Sequence, residues 1–463
     1  KLHSLVVVPT MLASEKGVAH LLEGLEVRFL ANRDDNLRFC LLTDFRDAPQ
    51  KYQLEDESLL QQAQAGMELL NAKYHHNNGH VFFLFHRPRQ WNAQEKTWMG
   101  YERKRGKLSD LNRLLRGGSQ DAFSLIVGDT SMLLGAKYII TLDTDTLLPR
   151  GVARQLVGTL AHPLNHAVID RLRNVVTLGY GILQPGVATT MEREGLSWFA
   201  RLNGGEPGLD PYTRTISDVY QDLFSEGSFI GKGIYDVDAF SATTENRFLD
   251  NQILSHDLLE GCYARCGLVS DIQVYESYPA RYLSDVRRRH RWMRGDWQIS
   301  GWVLPFVLGP RNRCESNPLR MLSRWKIFDN LRRSLVPVGL LLLLLVGWLT
   351  SSPAWGWTVF VSAIVLIPAL LVSLISAYRK AVDVPTLPHY RDVAKTLGQS
   401  LQQGSMSLAF LPFEAWVSLD AIVRTTVRMR WTRARMLEWK TASDSDLEGC
   451  GGLIATYRAM WAA

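Results

Sequence analysis

Two rhythms of apolar residues alternate through the first part of the chain. Apolar, often β-branched runs at residues 5–10, 38–43, 81–85 and 136–142 predict buried strands. Between them apolar positions recur at helical spacing, as with Val18, Leu21, Leu22, Leu25 and Phe29. Residues 55–73, 103–115 (with Gly106 marking its start) and 151–160 read the same way. Strands alternating with helices at this spacing predict an α/β fold with a doubly wound, mostly parallel sheet. Beyond residue 170 the rhythm is less regular. Strands are expected at 175–183 and 268–275 and a helix at 254–266, with a mixed stretch at 197–224 and a Gly-rich one at 229–234.

The pattern changes at Ser334, from which no charged residue occurs until after Tyr378. Pro353 and Trp355-Gly356-Trp357 divide this run into two spans, each near the ~20 residues that cross a bilayer. Arg332 and Arg333 precede the first span, and Arg379 and Lys380 follow the second. By the positive-inside rule both flanks are cytoplasmic. Farther on, Leu408, Leu411, Ala415, Leu419, Ile422 and Val423 form an apolar stripe interrupted by Glu414 and Asp420. A crossing there would put Arg424, Arg428, Arg430, Arg433 and Arg435 outside, so an interfacial amphipathic helix is expected. The expected organisation is a cytosolic domain at 1–320, a linker and transmembrane hairpin at 321–380, interfacial helices at 381–452, and the start of a further membrane segment at 453–463. The chain opens directly in a strand without an initiator Met, which suggests a piece of a longer protein.

Composition changes this picture little. The formal charge of +6 comes from local basic clusters rather than a global excess. Such clusters suit phosphate sugars or anionic lipids, and nucleic acid is not expected as a partner. Five cysteines form no pairing framework, which fits a reducing compartment, and Cys262 and Cys266 would share a helix face.

Chemistry concentrates at a few points. Asp143-Thr144-Asp145 follows the strand at 136–142, where ligands of open α/β sheets collect. Carboxylates there can bind Mg²⁺ or Mn²⁺ together with substrate phosphates, or form only a solvated turn. Asp44 also ends a strand and can accept bonds from a nucleotide's base or ribose, or simply shape a turn. Lys107 closes the basic run Arg103-Lys104-Arg105-Gly106-Lys107 and can neutralise a diphosphate, the alternative being a solvated basic face. Asp257, in Ser255-His256-Asp257, is either a helix cap or a general base. Arg288-Arg289-His290-Arg291-Trp292 combines cations for a leaving diphosphate with an aromatic platform for a sugar, unless it is a nucleic-acid or lipid-headgroup patch.

Taken in order, Asp44, Asp143-x-Asp145, Asp257 and Arg291-Trp292, followed by membrane spans, resemble the family-2-type, GT-A-fold processive glycosyltransferases. Arg288 stands where that pattern has Gln. Longer stretches resemble something narrower, the glycosyltransferase domain (family-84 type) of bacterial cyclic β-1,2-glucan synthases. They include Thr141-Leu142-Asp143-Thr144-Asp145-Thr146-Leu147-Leu148-Pro149, Gly227-Ser228-Phe229-Ile230-Gly231-Lys232-Gly233, Ser255-His256-Asp257-Leu258-Leu259-Glu260-Gly261 and His290-Arg291-Trp292-Met293-Arg294-Gly295-Asp296. The resemblance implies a GT-A domain that transfers glucose from UDP-glucose with inversion, extending a β-1,2-glucan on the cytoplasmic face of the inner membrane with Mg²⁺ or Mn²⁺. Asp145 would be the metal ligand, with Asp143 on the donor sugar or beside the metal, and Asp44 and Lys107 on the nucleotide. Asp257 would be the base, Arg291 and Trp292 would serve the leaving group and acceptor, and Arg288 would contact the acceptor. It also implies a C-terminal phosphorylase-like domain and further membrane helices on the same polypeptide. Rival readings are a transferase making another β-glucan, a metal-dependent phosphohydrolase, and a non-catalytic sugar-nucleotide scaffold.

Overall fold

Successive residues of a strand point to opposite faces of a sheet, and here both faces are apolar. The computed structural model describes residues 2–74, 79–190, 197–204, 215–309, 313–350, 352–380, 383–438 and 460–461. Val6 and Val8 of β1 (Ser4–Leu12), Phe39 and Leu41 of β2 (Leu37–Phe45) and Phe82 and Leu84 of β3 (Phe82–Arg87) enter one core. Leu5, Val7, Cys40, Leu42, Phe83 and Phe85 enter the other. A sheet buried on both sides needs helices on both sides. Of α1 (Glu15–Ala31), α2 (Asp56–Lys73), α3 (Arg103–Leu115) and α4 (Val152–Leu160), three cover the first face and α3 covers the second.

Five further strands complete the sheet: β4 (Leu125–Val127), β5 (Tyr138–Thr141), β6 (Ile182–Thr189), β7 (Gly233–Asp236) and β8 (Cys266–Glu276). Their order is β8-β6-β7-β5-β1-β2-β3-β4. All run parallel except the edge strand β4 and the inner strand β7, which is antiparallel to both neighbours. The mostly parallel α/β sheet expected from the alternation is present.

Two expected elements are interrupted. The strand expected at 175–183 splits. Val175–Leu178 pairs with Val168–Asp170 in a separate ribbon, and β6 begins only at Ile182. Between them Gly179 has φ +64, and a Cβ there would lie 1.9 Å from the His166 carbonyl oxygen. The helix expected at 254–266 shrinks to α5 (Asp257–Tyr263), because Arg265 adopts φ +52 and turns the chain into β8. Cys262 and Cys266 therefore lie in different elements.

Beyond α6 (Tyr282–Gln298), α7 (Met321–Thr350) and α8 (Trp355–Tyr378) are two helices long and apolar enough to cross a membrane. The expected linker and first span are one continuous helix. At 1.5 Å per residue α7 is ~45 Å long, more than the ~30 Å hydrocarbon core. Its first turns stay against the domain, where Ile327 is buried and Lys326 Nζ donates to the Gly227 carbonyl at 2.7 Å. Two more helices follow, α9 (Thr386–Ala409) and α10 (Leu411–Val427). Glu414 and Asp420, which interrupted the apolar stripe, face α6. Glu414 accepts from Arg289 Nη1 and Nη2 at 2.7 Å and from the Tyr282 hydroxyl at 2.5 Å, and Asp420 lies 2.9 Å from His290 Nε2. Trp416, Leu419 and Val423 of α10 remain exposed. Of the segment expected at 453–463, all but Met460 and Trp461 lie outside the described residues.

The turn at Gly179 gives a direct check. Gly179→Ala should destabilise the protein by roughly 1–3 kcal/mol in thermal or urea unfolding, combining strain with the clash. Gly151→Ala, at φ +76 with open space around it, should cost only about 1 kcal/mol.

Candidate active site

The parallel strands end along one edge of the sheet, and β7, running the other way, begins there. Gly233 at the start of β7 pairs with Thr141 at the end of β5, which brings Lys232 beside Asp143. An isolated bridge between Leu147 and Tyr275 then ties the loop after β5 to the end of β8. Glu276 therefore sits next to Thr146, whose hydroxyl donates to it at 2.5 Å. Carboxylate oxygens of Asp143, Asp145 and Glu276 lie within 4.8 Å of one another.

The loop's backbone is held from beneath by α1. Buried Arg28 donates through Nε to the Thr146 carbonyl at 3.1 Å. Its Nη2 reaches the carbonyls of Thr144 and Thr146 at 2.8 Å and of Asp143 at 3.3 Å. One turn later, Asn32 Nδ2 donates to the Leu148 and Pro149 carbonyls, while its Oδ1 accepts from the Ala153 N–H. With the backbone fixed this way, the acidic side chains are turned outward.

Two ammonium groups answer the three carboxylates. Lys104 Nζ lies 2.8 Å from Asp143 Oδ1 and donates to the Gly231 carbonyl at 2.8 Å. Lys232 Nζ lies 2.5 Å from Glu276 Oε1 and 3.4 Å from Asp143 Oδ2. Burial alone would raise the Asp143 pKa, but Lys104 and Lys232 outweigh it and hold the carboxyl well below the usual range. Asp145 goes the other way. Lost hydration raises it first, and the neighbouring Glu276 and Asp143 charges add to that.

Asp257 faces the same cluster across Gly231. A Cβ on Gly231, at φ +86, would lie 2.8 Å from Asp257 Oδ1, so the Gly231 backbone rests on the Asp257 carboxylate. Asp257 is the first residue of α5, after the N-cap His256, and its Oδ1 has no hydrogen-bond partner among the described residues. Oδ1 itself is buried, 3.6 Å from His256 Nδ1, while the side chain as a whole is 25% exposed. Neighbouring His256 is buried, with Nδ1 2.8 Å from Glu260. Burial would lower its pKa, but Glu260 and Asp257 raise it on balance.

Helix α6 packs against this stretch. A Cβ on Gly295 would lie 2.3 Å from Ser255 Cβ, so the helix comes as close as glycine allows. Arg291, one turn earlier, lies in the field of Asp143 and Asp145, and burial pushes its pKa down to about 10. Arg288 is bonded to Asp285 at 2.8 Å and lies 4.9 Å from the Trp292 ring centroid and 5.6 Å from that of Tyr278.

Asp44 and Lys107 form a second, buried group. Arg87 donates to Asp44 through Nε at 2.9 Å and Nη2 at 3.0 Å, and Lys107 Nζ lies 3.3 Å away. Lys107 also donates to the Thr10 carbonyl at 2.5 Å, and burial pushes its pKa down to about 8. Lys104, not Lys107, reaches Asp143. Both stand on one face of α3, three residues apart, a spacing that left either eligible. Glu276, Lys232 and Arg28 were not singled out in the sequence, and Lys104 only as part of the basic run with Lys107. Glu276 ends a strand as Asp44 does, so the strand-end rule applied to residues 268–275 would have found it.

Two substitutions test this electrostatic arrangement. Asp44→Asn leaves Arg87 and Lys107 short of a buried partner and should cost about 3–5 kcal/mol in denaturant unfolding at neutral pH. Burial would raise the Asp44 pKa, but Arg87 and Lys107 lower it on balance. Its stabilisation is therefore full above the unfolded value near pH ~4 and is lost as pH falls through the folded one. The difference between wild type and variant should shrink on acidification. Arg28→Lys keeps the charge but loses the paired Nε and Nη2 donors that span these carbonyls, and should destabilise by roughly 1–3 kcal/mol in the same assay.

No family model matches the chain. Among solved structures, the mannosyltransferase PcManGT from Pyrobaculum calidifontis, in complex with GDP-Man and Mn²⁺, covers 93% of this chain and 87% of its own at a TM-score of 0.41 and 13% identity. A likeness that loose carries no argument. The cyclic β-(1,2)-glucan synthase NdvB of Rhizobium meliloti (strain 1021) is 41% identical over 99% of this chain, which spans 16% of that protein's length. Over almost all of its length, then, this chain is homologous to one segment of a cyclic β-(1,2)-glucan synthase, as the motif resemblance implied.

Proposed function

We propose that residues 1–320 form a GT-A-type glucosyltransferase domain that moves glucose from UDP-glucose to the C2 hydroxyl of a growing β-1,2-glucan. The domain would lie on the cytoplasmic side of a bacterial inner membrane, with the arginine-flanked spans anchoring it. One observation carries this reading. The Lys104 ammonium binds both Asp143 and the carbonyl of Gly231, the residue that rests on Asp257. The carboxylate cluster and the Asp257 carboxylate therefore share one edge of the sheet.

The donor set fits a hard divalent cation. Asp143, Asp145 and Glu276 supply oxygen ligands close together, and the Lys232 ammonium already stands among them as a positive charge. Mg²⁺ or Mn²⁺ bound there would offset charge on the UDP diphosphate. The chain's own residues do the rest. Asp257 takes the proton from the acceptor C2 hydroxyl, and that oxygen bonds to the anomeric carbon of glucose. The anomeric C–O bond to the diphosphate breaks, UDP leaves with the electron pair, and the α-linked donor becomes a β-linked product. Arg291 meets the charge on the departing diphosphate. Trp292, its neighbour, is the acceptor platform, with Arg288 stacked on it. Asp44 and Lys107 form the floor under the nucleotide. The phosphorylase-like domain implied by the resemblance would belong to the same polypeptide outside this segment.

Asp257→Asn should lower glucose transfer from labelled UDP-glucose by about 10²–10⁴-fold while leaving UDP affinity unchanged. Normal incorporation would sink the assignment. Asp145→Asn should abolish the dependence of UDP binding on Mn²⁺ in a titration, and an unaltered Mn²⁺ effect would count against the site.

A further inference from the structure

Lys232 occupies an unusual position. Its ammonium lies 2.5 Å from Glu276 and 3.4 Å from Asp143, inside the carboxylate cluster rather than at its rim. The backbone that carries it is fixed on both sides. Gly231 is at φ +86 with its carbonyl held by Lys104, and Gly233 is at φ +155, where a Cβ would lie 2.2 Å from the Leu183 carbonyl oxygen. The backbone cannot withdraw, but the four-carbon side chain can swing. Glu276 is held by Thr146 and Asp143 by Lys104, so both carboxylates stay in place when Lys232 leaves them.

A divalent cation coordinated by these carboxylates would have to share them with an ammonium at contact distance. Like charges that close repel, so the two compete. A nucleoside diphosphate removes the conflict, because its phosphate oxygens give the displaced ammonium new partners. We propose that Lys232 competes with the divalent cation for Glu276 and Asp143, so that the cation and the nucleoside diphosphate bind cooperatively. This rests on the carboxylate cluster being the cation site. Lys232 acts as a positioning residue that sets the order of loading.

The test is Mn²⁺ binding to the full chain in detergent micelles, read from the loss of the free Mn²⁺ electron-spin-resonance signal, with and without UDP. Wild type should bind Mn²⁺ weakly alone and on the order of tenfold more tightly with UDP. Lys232→Met should bind Mn²⁺ alone about tenfold more tightly than wild type, and the gain from UDP should shrink, leaving the part that contact between cation and diphosphate supplies. Lys232→Arg, which keeps the charge, should resemble wild type. Lys232→Gln serves with the same expectation as methionine if the methionine variant fails to fold. Methionine or glutamine variants that bind Mn²⁺ alone no more tightly than wild type overturn the proposal. An Asp145→Asn variant that binds Mn²⁺ with UDP as wild type does would instead show that the cation site itself is misassigned.

Discussion

The site depends on one buried guanidinium. The loop after β5 must turn its acidic side chains outward while its backbone passes over the core, and that leaves carbonyls facing inward. Each unsatisfied buried carbonyl costs about 1–3 kcal/mol, so without a donor the loop would not hold this path. Arg28 meets three of those carbonyls from a single side chain. Arginine's planar fork does so with Nε and Nη2 together. Asn32 continues the same service to Leu148 and Pro149. The last turns of α1 therefore set where Asp143 and Asp145 can be.

Above this anchor the charges form two layers with different roles. The lower layer, Asp44, Arg87, Lys107 and Asp110, is closed and mutually satisfied, with side chains 4–11% exposed. Charges buried this deeply are stable only when paired, which makes the layer a floor. The upper layer is unevenly balanced, with Asp143, Asp145 and Glu276 against Lys104 and Lys232. Glu276 is buried, whereas Asp143 and Asp145 are open enough to meet a cationic ligand. Asp257 joins this layer through Gly231, and Arg291 through the close packing of Gly295 on Ser255.

The parallel strands were legible because long β-branched runs report burial on both faces, and the membrane hairpin because no charge interrupts Ser334 to Tyr378. Asp143, Asp145 and Asp257 were legible as short polar breaks at the ends of apolar runs. The antiparallel strand β7 was not, because Gly231 and Gly233 mask it as a loop. Lys232 was lost with it, since only the pairing of Gly233 with Thr141 brings it to Asp143. Arg28 falls between the apolar positions of its helix, and nothing local tells that a loop 118 residues later lies on it. The roles of Glu414 and Asp420 were hidden for the same reason, as their partners are on α6. That helix now links the two halves of the chain: one of its faces presses Gly295 on Ser255 near Asp257, and another binds α10.

The most direct measurement is of the product itself. Membranes carrying the protein, given UDP-glucose labelled in the sugar with Mn²⁺, should yield a labelled glucan. Linkage analysis and anomeric carbon resonances should show β configuration and attachment through C2. Release of free glucose or phosphate with no label in a glucan, or a retained α linkage, would contradict a single inverting site built from the carboxylate cluster and Asp257.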